Sequence, residues 1–110
     1  KHFCIFDELF SGTNPYEAIA TAYGYLDYIS KNKNVKFLLT THYIDLCKLL
    51  DKHKTVSNYQ METYVHDNIP KYTYKIIKGI SKIKGGIMVL KQLNYPDAIL
   101  DKSHTIIDML

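Results

Sequence analysis

The most informative segment of the sequence reads His2-Phe3-Cys4-Ile5-Phe6-Asp7-Glu8-Leu9-Phe10-Ser11-Gly12-Thr13-Asn14-Pro15-Tyr16-Glu17. Residues 2–6 form a continuous apolar run that ends at two carboxylates, which is typical of a buried strand in a parallel sheet. A short loop follows, and then Asn14, Pro15 and Glu17 fit the N-cap, N1 and N3 positions of a helix. We therefore predict a strand, a loop and a helix that runs to about Ser30.

The rest of the sequence extends this segment into an α/β chain. A second apolar run over Val35–Thr40 predicts another buried strand, so that strand, helix and strand form a right-handed βαβ unit with parallel strands. The later predicted elements are a helix at about Tyr43–His53, an antiparallel hairpin with period-2 strands at 59–66 and 71–76 around a turn at Asp67–Pro70, and two final helices at about Lys82–Leu93 and Pro96–Met109.

The composition fits one domain or part of one. The chain has 110 residues, of which 46% are hydrophobic, and no apolar stretch approaches the ~20 residues that span a bilayer. It starts without Met inside an apolar run, which indicates a segment of a longer protein. Its first residues reach a carboxylate too soon for a secretory signal, so we expect an intracellular protein. Cys4 and Cys47 lack CxxC spacing, so we expect buried free thiols. The net charge is +3 and every basic residue is a lysine, so this segment cannot supply an arginine finger.

Three polar residues follow the two predicted parallel strands. Asp7 and Glu8 end the first strand, and His42 follows the second. Ligands of open parallel sheets bind at the carboxyl ends of strands. There, one carboxylate can hold hydrated Mg²⁺, the other can orient or deprotonate water, and an imidazole can bind a phosphate. Two acids that cap a loop and an exposed histidine would give the same pattern, so both interpretations stay open here.

The same residues resemble one family closely. The segment Phe6–Ala18 is similar to the Walker B and D-loop segment of MutS mismatch-repair ATPases, and Leu39-Thr40-Thr41-His42-Tyr43 resembles their Thr-His-Tyr switch. The closing segment, with Gly79, Gly86-Ile87 and Leu93-Asn94-Tyr95-Pro96, is similar to the helix-turn-helix that ends the family's ATPase domain. The resemblance covers essentially the whole chain.

The resemblance implies roles residue by residue. Asp7 would bind Mg²⁺ through water, Glu8 would be the catalytic carboxylate, and His42 would sense the γ-phosphate of ATP. The D-loop would consist of Ser11, Gly12, Thr13 and Asn14. The protein would act as a homodimer or with a MutS-like partner subunit, stabilised by the closing helices, and would meet mismatched DNA through domains outside this chain.

The resemblance also implies a fold and a division of the chain. We expect part of an ABC-type P-loop NTPase domain with parallel strands, an antiparallel hairpin and a C-terminal helix-turn-helix. Residues 1–78 would form the second half of the ATPase domain, and residues 79–110 the dimerisation segment. Ser11 stands where the family usually has Arg, and Asn14 and Pro15 stand where it has Ser-Thr. These differences predict a divergent branch, such as the viral or organellar relatives.

The P-loop motif G-x-x-x-x-G-K-[ST] does not occur in these 110 residues. Because that loop supplies most of the backbone N–H groups that hold phosphates, we expect the isolated chain to be inactive. Two alternatives remain: another ABC-class ATPase of chromosomes or recombination, and a non-catalytic dimerisation module.

Six lysines and no acid lie between Lys71 and Lys91, and we interpret this stretch as a solvated surface rather than a nucleic-acid site.

Overall fold

A computed structural model describes residues 1–67, 69–82 and 85–110. Its elements in chain order are β1 (His2–Asp7), α1 (Pro15–Ser30), β2 (Val35–Thr40), α2 (Ile44–Asp51), β3 (Tyr59–His66), β4 (Ile69–Lys78), α3 (Gly85–Gln92) and α4 (Asp97–Met109). The chain divides into two compact units, one formed by residues 1–59 and 78–80 and the other by residues 60–77 and 81–110. The division at residues 78 and 79 that the family resemblance implies stays a prediction.

The first unit contains the predicted strand-helix-strand. β1 and β2 pair in parallel, and their register places Asp7 opposite Thr40 at the carboxyl ends. Helix α1 begins as predicted, with Pro15 in its first turn and the side chain of Asn14 accepting a hydrogen bond from the Glu17 N–H at 2.9 Å. This cap satisfies one of the N–H groups that a helix start leaves unpaired. The α/β class and the parallel pairing are confirmed.

Both helices of the first unit pack on one face of the two-stranded sheet. Ala22 and Leu26 of α1 and Leu46 and Leu50 of α2 are buried together, and the inner strand side chains, Phe6, Phe37 and Leu39, pack against them. The buried residues of α1 recur at spacings of four, which is the helical period that the sequence predicts. This core fixes the ends of β1 and β2 relative to the helices.

The other face of the β1–β2 sheet is exposed. Phe3, Ile5 and Leu38 expose 62%, 72% and 60% of their surface. The prediction of fully buried strands is therefore wrong for this face within the chain. The reason is that a continuous apolar run signals burial on both faces, whereas α1 and α2 cover only the face that carries Phe6.

The cysteines of the first unit are free thiols, as predicted, but only half-buried rather than buried. Burial raises the pKa of the Cys47 thiol. A thiol with a raised pKa forms little thiolate and reacts slowly.

The second unit contains the predicted hairpin. β3 and β4 form a two-stranded sheet, and a connection of only two residues requires them to run antiparallel. The turn is shorter than the predicted Asp67–Pro70, because β4 already begins at Ile69 and Pro70 is a buried residue within it. Proline fits an edge strand, where no ladder hydrogen bond from its nitrogen is needed. Asp67 has φ 52°, the left-handed conformation that tight hairpin turns use.

The two closing helices differ from the prediction at their ends. Helix α3 spans Gly85–Gln92, and Ile83 and Lys84 of the predicted start lie outside the described residues. Pro96 is the N-cap of α4 rather than its first residue. The buried residue of α4 is Leu100, while Ile99, Ile106 and Leu110 are exposed at 45%, 48% and 98%.

Candidate functional site

The carboxyl ends of β1 and β2 bring the predicted acidic pair and the histidine together. The parallel register that pairs Asp7 with Thr40 leaves Glu8 and His42 just beyond the two strands. His42 Nε2 lies 2.6 Å from Glu8 Oε1. The Glu8 side chain is 43% exposed and that of His42 is 88% exposed, so the pair faces solvent. A ligand could reach both groups without any rearrangement of the core.

Glu8 occupies an unusual backbone conformation. Its φ is 53°, and the φ of Phe10 two residues later is 60°, both in the left-handed region that costs on the order of 1 kcal/mol for a residue with a side chain. The Ser11 N–H donates to the Glu8 carbonyl at 3.1 Å and closes this turn. Backbone strain of this kind concentrates at functional sites, where the surrounding structure imposes it.

An aromatic cluster packs beside this turn. The ring of Tyr25 in α1 lies edge-to-face with Phe6, at 5.8 Å between centroids, and with Phe10, at 6.4 Å. Such pairs contribute about 0.5–1.5 kcal/mol beyond their burial. Tyr25, which belongs to α1, therefore connects the turn that carries Glu8 to this helix. Sequence patterns alone assign Tyr25 no role, because this residue lies far from the acidic pair along the chain.

Thr40 links the two acidic residues. Its hydroxyl donates to Asp7 Oδ1 at 2.5 Å. The Glu8 N–H donates to the Thr40 carbonyl at 2.9 Å and lies 3.3 Å from the Thr40 hydroxyl oxygen. In the sequence, Thr40 is only a neighbour of the Thr-His-Tyr match. Its role depends on the strand register, which no local pattern specifies.

The four predicted D-loop residues form an exposed loop before α1. Their hydrogen bonds run to Glu8 and to the helix start, where Thr13 Oγ1 donates to Glu17 Oε2 at 3.2 Å and Asn14 caps α1. A Cβ built at Gly12 would meet no atom of the described chain within 4 Å. The chain therefore leaves free space beside Gly12. None of these hydrogen bonds reaches His42.

The chemistry of the site suits a magnesium ion held jointly with a substrate. Asp7 and Glu8 offer carboxylate oxygens, and Mg²⁺ is commonly bound by one or two carboxylates together with phosphates and water. No group of three or more His, Cys, Asp or Glu side chains that could enclose a metal occurs in the described residues. These residues therefore fit a shared magnesium site better than an all-protein one.

The described cavities lie elsewhere. One of about 370 Å³ in the second unit is lined by Asp67, Ile69, Lys91, Gln92 and Asn94. A smaller one of about 120 Å³ contacts Val65, Leu100, His104 and neighbouring residues. Neither includes Asp7, Glu8 or His42, so the candidate site is an open edge rather than an enclosed pocket.

Along residues 1–67, 69–82 and 85–110, the helices are too short or too polar to cross a bilayer.

A second polar cluster lies at the far end of α1, and no sequence motif indicates it. His53 Nε2 lies 3.2 Å from both Asp27 Oδ1 and Ser30 Oγ, and its Nδ1 lies 3.1 Å from Thr55 Oγ1. Asp27 and Ser30 belong to α1, whereas His53 and Thr55 follow α2, so the imidazole joins these two parts of the first unit. The cluster therefore connects α1 to the segment after α2.

Known proteins match the entire chain. The family model of MutS domain V matches residues 1–110. The DNA mismatch repair protein MutS of Clostridium perfringens is 34% identical over 108 residues, which is 96% of this chain and 12% of that protein. The MutS of Aquifex pyrophilus is 35% identical over 106 residues, again 96% and 12%. The chain thus spans about an eighth of the length of these relatives. It belongs to the MutS family and corresponds to the C-terminal part of its ATPase domain.

Proposed function

We propose that this chain supplies the acidic pair and the switch histidine with which a MutS-type protein hydrolyses ATP during DNA mismatch repair. The observation that carries the proposal is the 2.6 Å contact between Glu8 and His42 at the ends of adjacent parallel strands. The similar proteins bear the name DNA mismatch repair protein MutS, which supports mismatched DNA as the substrate of the whole protein. Mismatched DNA would bind outside these 110 residues.

Each residue of the site then has a chemical task. Asp7 would hold hydrated Mg²⁺, and the ion would neutralise charge on the phosphates. Glu8 accepts a proton from water, whose oxygen attacks the γ-phosphorus while the bond from that phosphorus to the β–γ bridging oxygen breaks and ADP leaves. His42 donates a hydrogen bond to the γ-phosphate. The contact with Glu8 holds the imidazole beside the attacking water.

The remaining parts of the site would come from outside the chain. The D-loop, Ser11–Asn14, would meet a partner subunit beside the nucleotide, and open space around Gly12 leaves room for a close approach. A P-loop from the rest of an ABC-type NTPase domain would supply phosphate-binding N–H groups. The two closing helices would stabilise a dimer, and their exposed apolar residues, such as Ile99 and Ile106, support that role.

Replacing the proposed base tests the function. In the full-length protein, Glu8→Gln keeps the size and one hydrogen-bonding oxygen but cannot take a proton, so we expect ATP binding to persist while turnover falls about 100-fold or more. Single-turnover hydrolysis and equilibrium nucleotide binding measure the two effects. The matched control is Glu62→Gln in the hairpin, where Glu62 Oε2 accepts from Thr73 Oγ1 and an amide oxygen can do the same. Unchanged turnover in Glu8→Gln would remove the proposed catalytic role.

A further inference from the structure

We propose that Thr40 is a positioning residue: its hydroxyl orients the carboxylate of Asp7, and its carbonyl and hydroxyl oxygens hold the backbone of Glu8. This inference rests on the proposed function, because it assigns Thr40 a task toward Asp7 and Glu8. Thr40 lies one residue before the Thr-His-Tyr match. Its place opposite Asp7 follows from the β1–β2 register, since paired residues of neighbouring strands project from the same face of a sheet.

The hydrogen bonds of Thr40 have a fixed direction. A hydroxyl has a single proton, and in Thr40 that proton lies in the 2.5 Å hydrogen bond to Asp7 Oδ1. The oxygen can then only accept, and the Glu8 N–H lies 3.3 Å from it while bonding to the carbonyl of the same residue at 2.9 Å. Thr40 thus holds the side chain of Asp7 and the left-handed backbone of Glu8 at once.

The neighbouring threonine does not share this arrangement. The Thr41 hydroxyl accepts from the Tyr43 N–H at 3.1 Å, at the start of α2. A carboxylate has two oxygens, so the bond from Thr40 can fix the orientation of Asp7 through Oδ1 while Oδ2 remains for a metal-bound water. Without the hydroxyl, the exposed Asp7 side chain would sample other rotamers, and ordering it would weaken metal binding.

The test uses three substitutions in the full-length protein. Thr40→Val removes the hydroxyl but keeps the branched shape that suits a strand, and Thr40→Ser restores the hydroxyl. Thr21→Val is the matched control, because the Thr21 hydroxyl donates only to the Glu17 carbonyl on the surface of α1. Mn²⁺ replaces Mg²⁺ as the probe, and paramagnetic resonance measures its affinity for the ADP-bound protein. Thermal unfolding of each variant checks that it is folded.

We expect Thr40→Val to weaken Mn²⁺ binding about tenfold, which matches the loss of one hydrogen bond to a charged group. Thr40→Ser should stay within about twofold of the parent protein, as should Thr21→Val. Unchanged Mn²⁺ affinity in Thr40→Val overturns the proposal, and so does an equal loss in Thr40→Ser, because the hydroxyl would then not be the cause. Asp7→Asn distinguishes a failure of the Thr40 proposal from a failure of the proposed function. If this variant also leaves Mn²⁺ affinity unchanged, Asp7 is not a metal ligand and the proposed function itself fails.

Discussion

The carboxylate of Asp27 contacts Lys31, at the end of the same helix, and His53, in the segment after α2. Lys31 Nζ lies 3.2 Å from Asp27 Oδ2, and His53 Nε2 lies 3.2 Å from Oδ1. The hydrogen bond from Lys31 holds the pKa of Asp27 below its ordinary value, partial burial opposes that shift, and the charge of Lys31 and the contact with His53 add to the lowering. Folding therefore favours the charged form of this carboxyl.

Asp27→Asn should make the protein less sensitive to acid. A carboxyl whose pKa is lower in the folded state contributes stability above its unfolded pKa, about 3.9, and loses it as the pH falls through the folded pKa. We expect the parent chain to be more stable than the variant at pH 7 and the difference to shrink below about pH 4. Urea unfolding at several pH values measures it. The control is Asp101→Asn, on the exposed surface of α4; a difference that is constant with pH would contradict the linkage.

The residues of the site differ in how far the sequence could predict them. The ends of parallel strands meet at one edge of a sheet, so the nearness of Glu8 and His42 was predictable from two strand ends. The roles of Thr40 and Tyr25 were not, because they depend on strand register and on helix packing across the chain. The left-handed φ of Glu8 was equally hidden, since nothing in a glutamate marks it.

The start of α1 is an element whose local sequence determines its geometry. Asn14 Oδ1 accepts from the Glu17 N–H, and the Thr13 hydroxyl donates to the Glu17 carboxylate. Both bonds lie within four residues, so the pattern alone predicted the cap. The faces of the β1–β2 sheet were less predictable, because the residues that would cover Phe3 and Leu38 are not specified by the strands themselves.

Removing the cap should destabilise α1 without altering the core. Asn14→Ala leaves the Glu17 N–H without its side-chain acceptor, and we expect a loss of about 1 kcal/mol in the free energy of unfolding. Asn14→Asp keeps an acceptor and places negative charge at the positive end of the helix, so it should match the parent or exceed it slightly. Chemical denaturation of all three proteins measures the effect. Equal stability of the alanine and aspartate variants would show that the cap contributes nothing.

At the scale of the whole molecule, the polar site residues lie on a two-stranded sheet that the described residues cover on one face only. The acidic pair and His42 lie at an open edge, the described cavities lie in the second unit, and one apolar sheet face is exposed. The sequence predicted the α/β class because periodicity and caps are local. It could not predict which sheet face stays open, because that depends on residues beyond the two strands and their helices.

The isolated 110-residue chain should therefore bind ATP poorly and hydrolyse none. Phosphates need a cradle of N–H groups, and the chain contains no P-loop motif, so Asp7 and Glu8 would meet the negative charge of the nucleotide with little to offset it. Calorimetric titration with MgATP should show no saturation up to about 1 mM. A dissociation constant of that size corresponds to a binding free energy of roughly 4 kcal/mol. The full-length protein is the positive control, and circular dichroism confirms that the isolated chain is folded. Clear saturable binding by the folded chain would show that these residues form a nucleotide site without the P-loop.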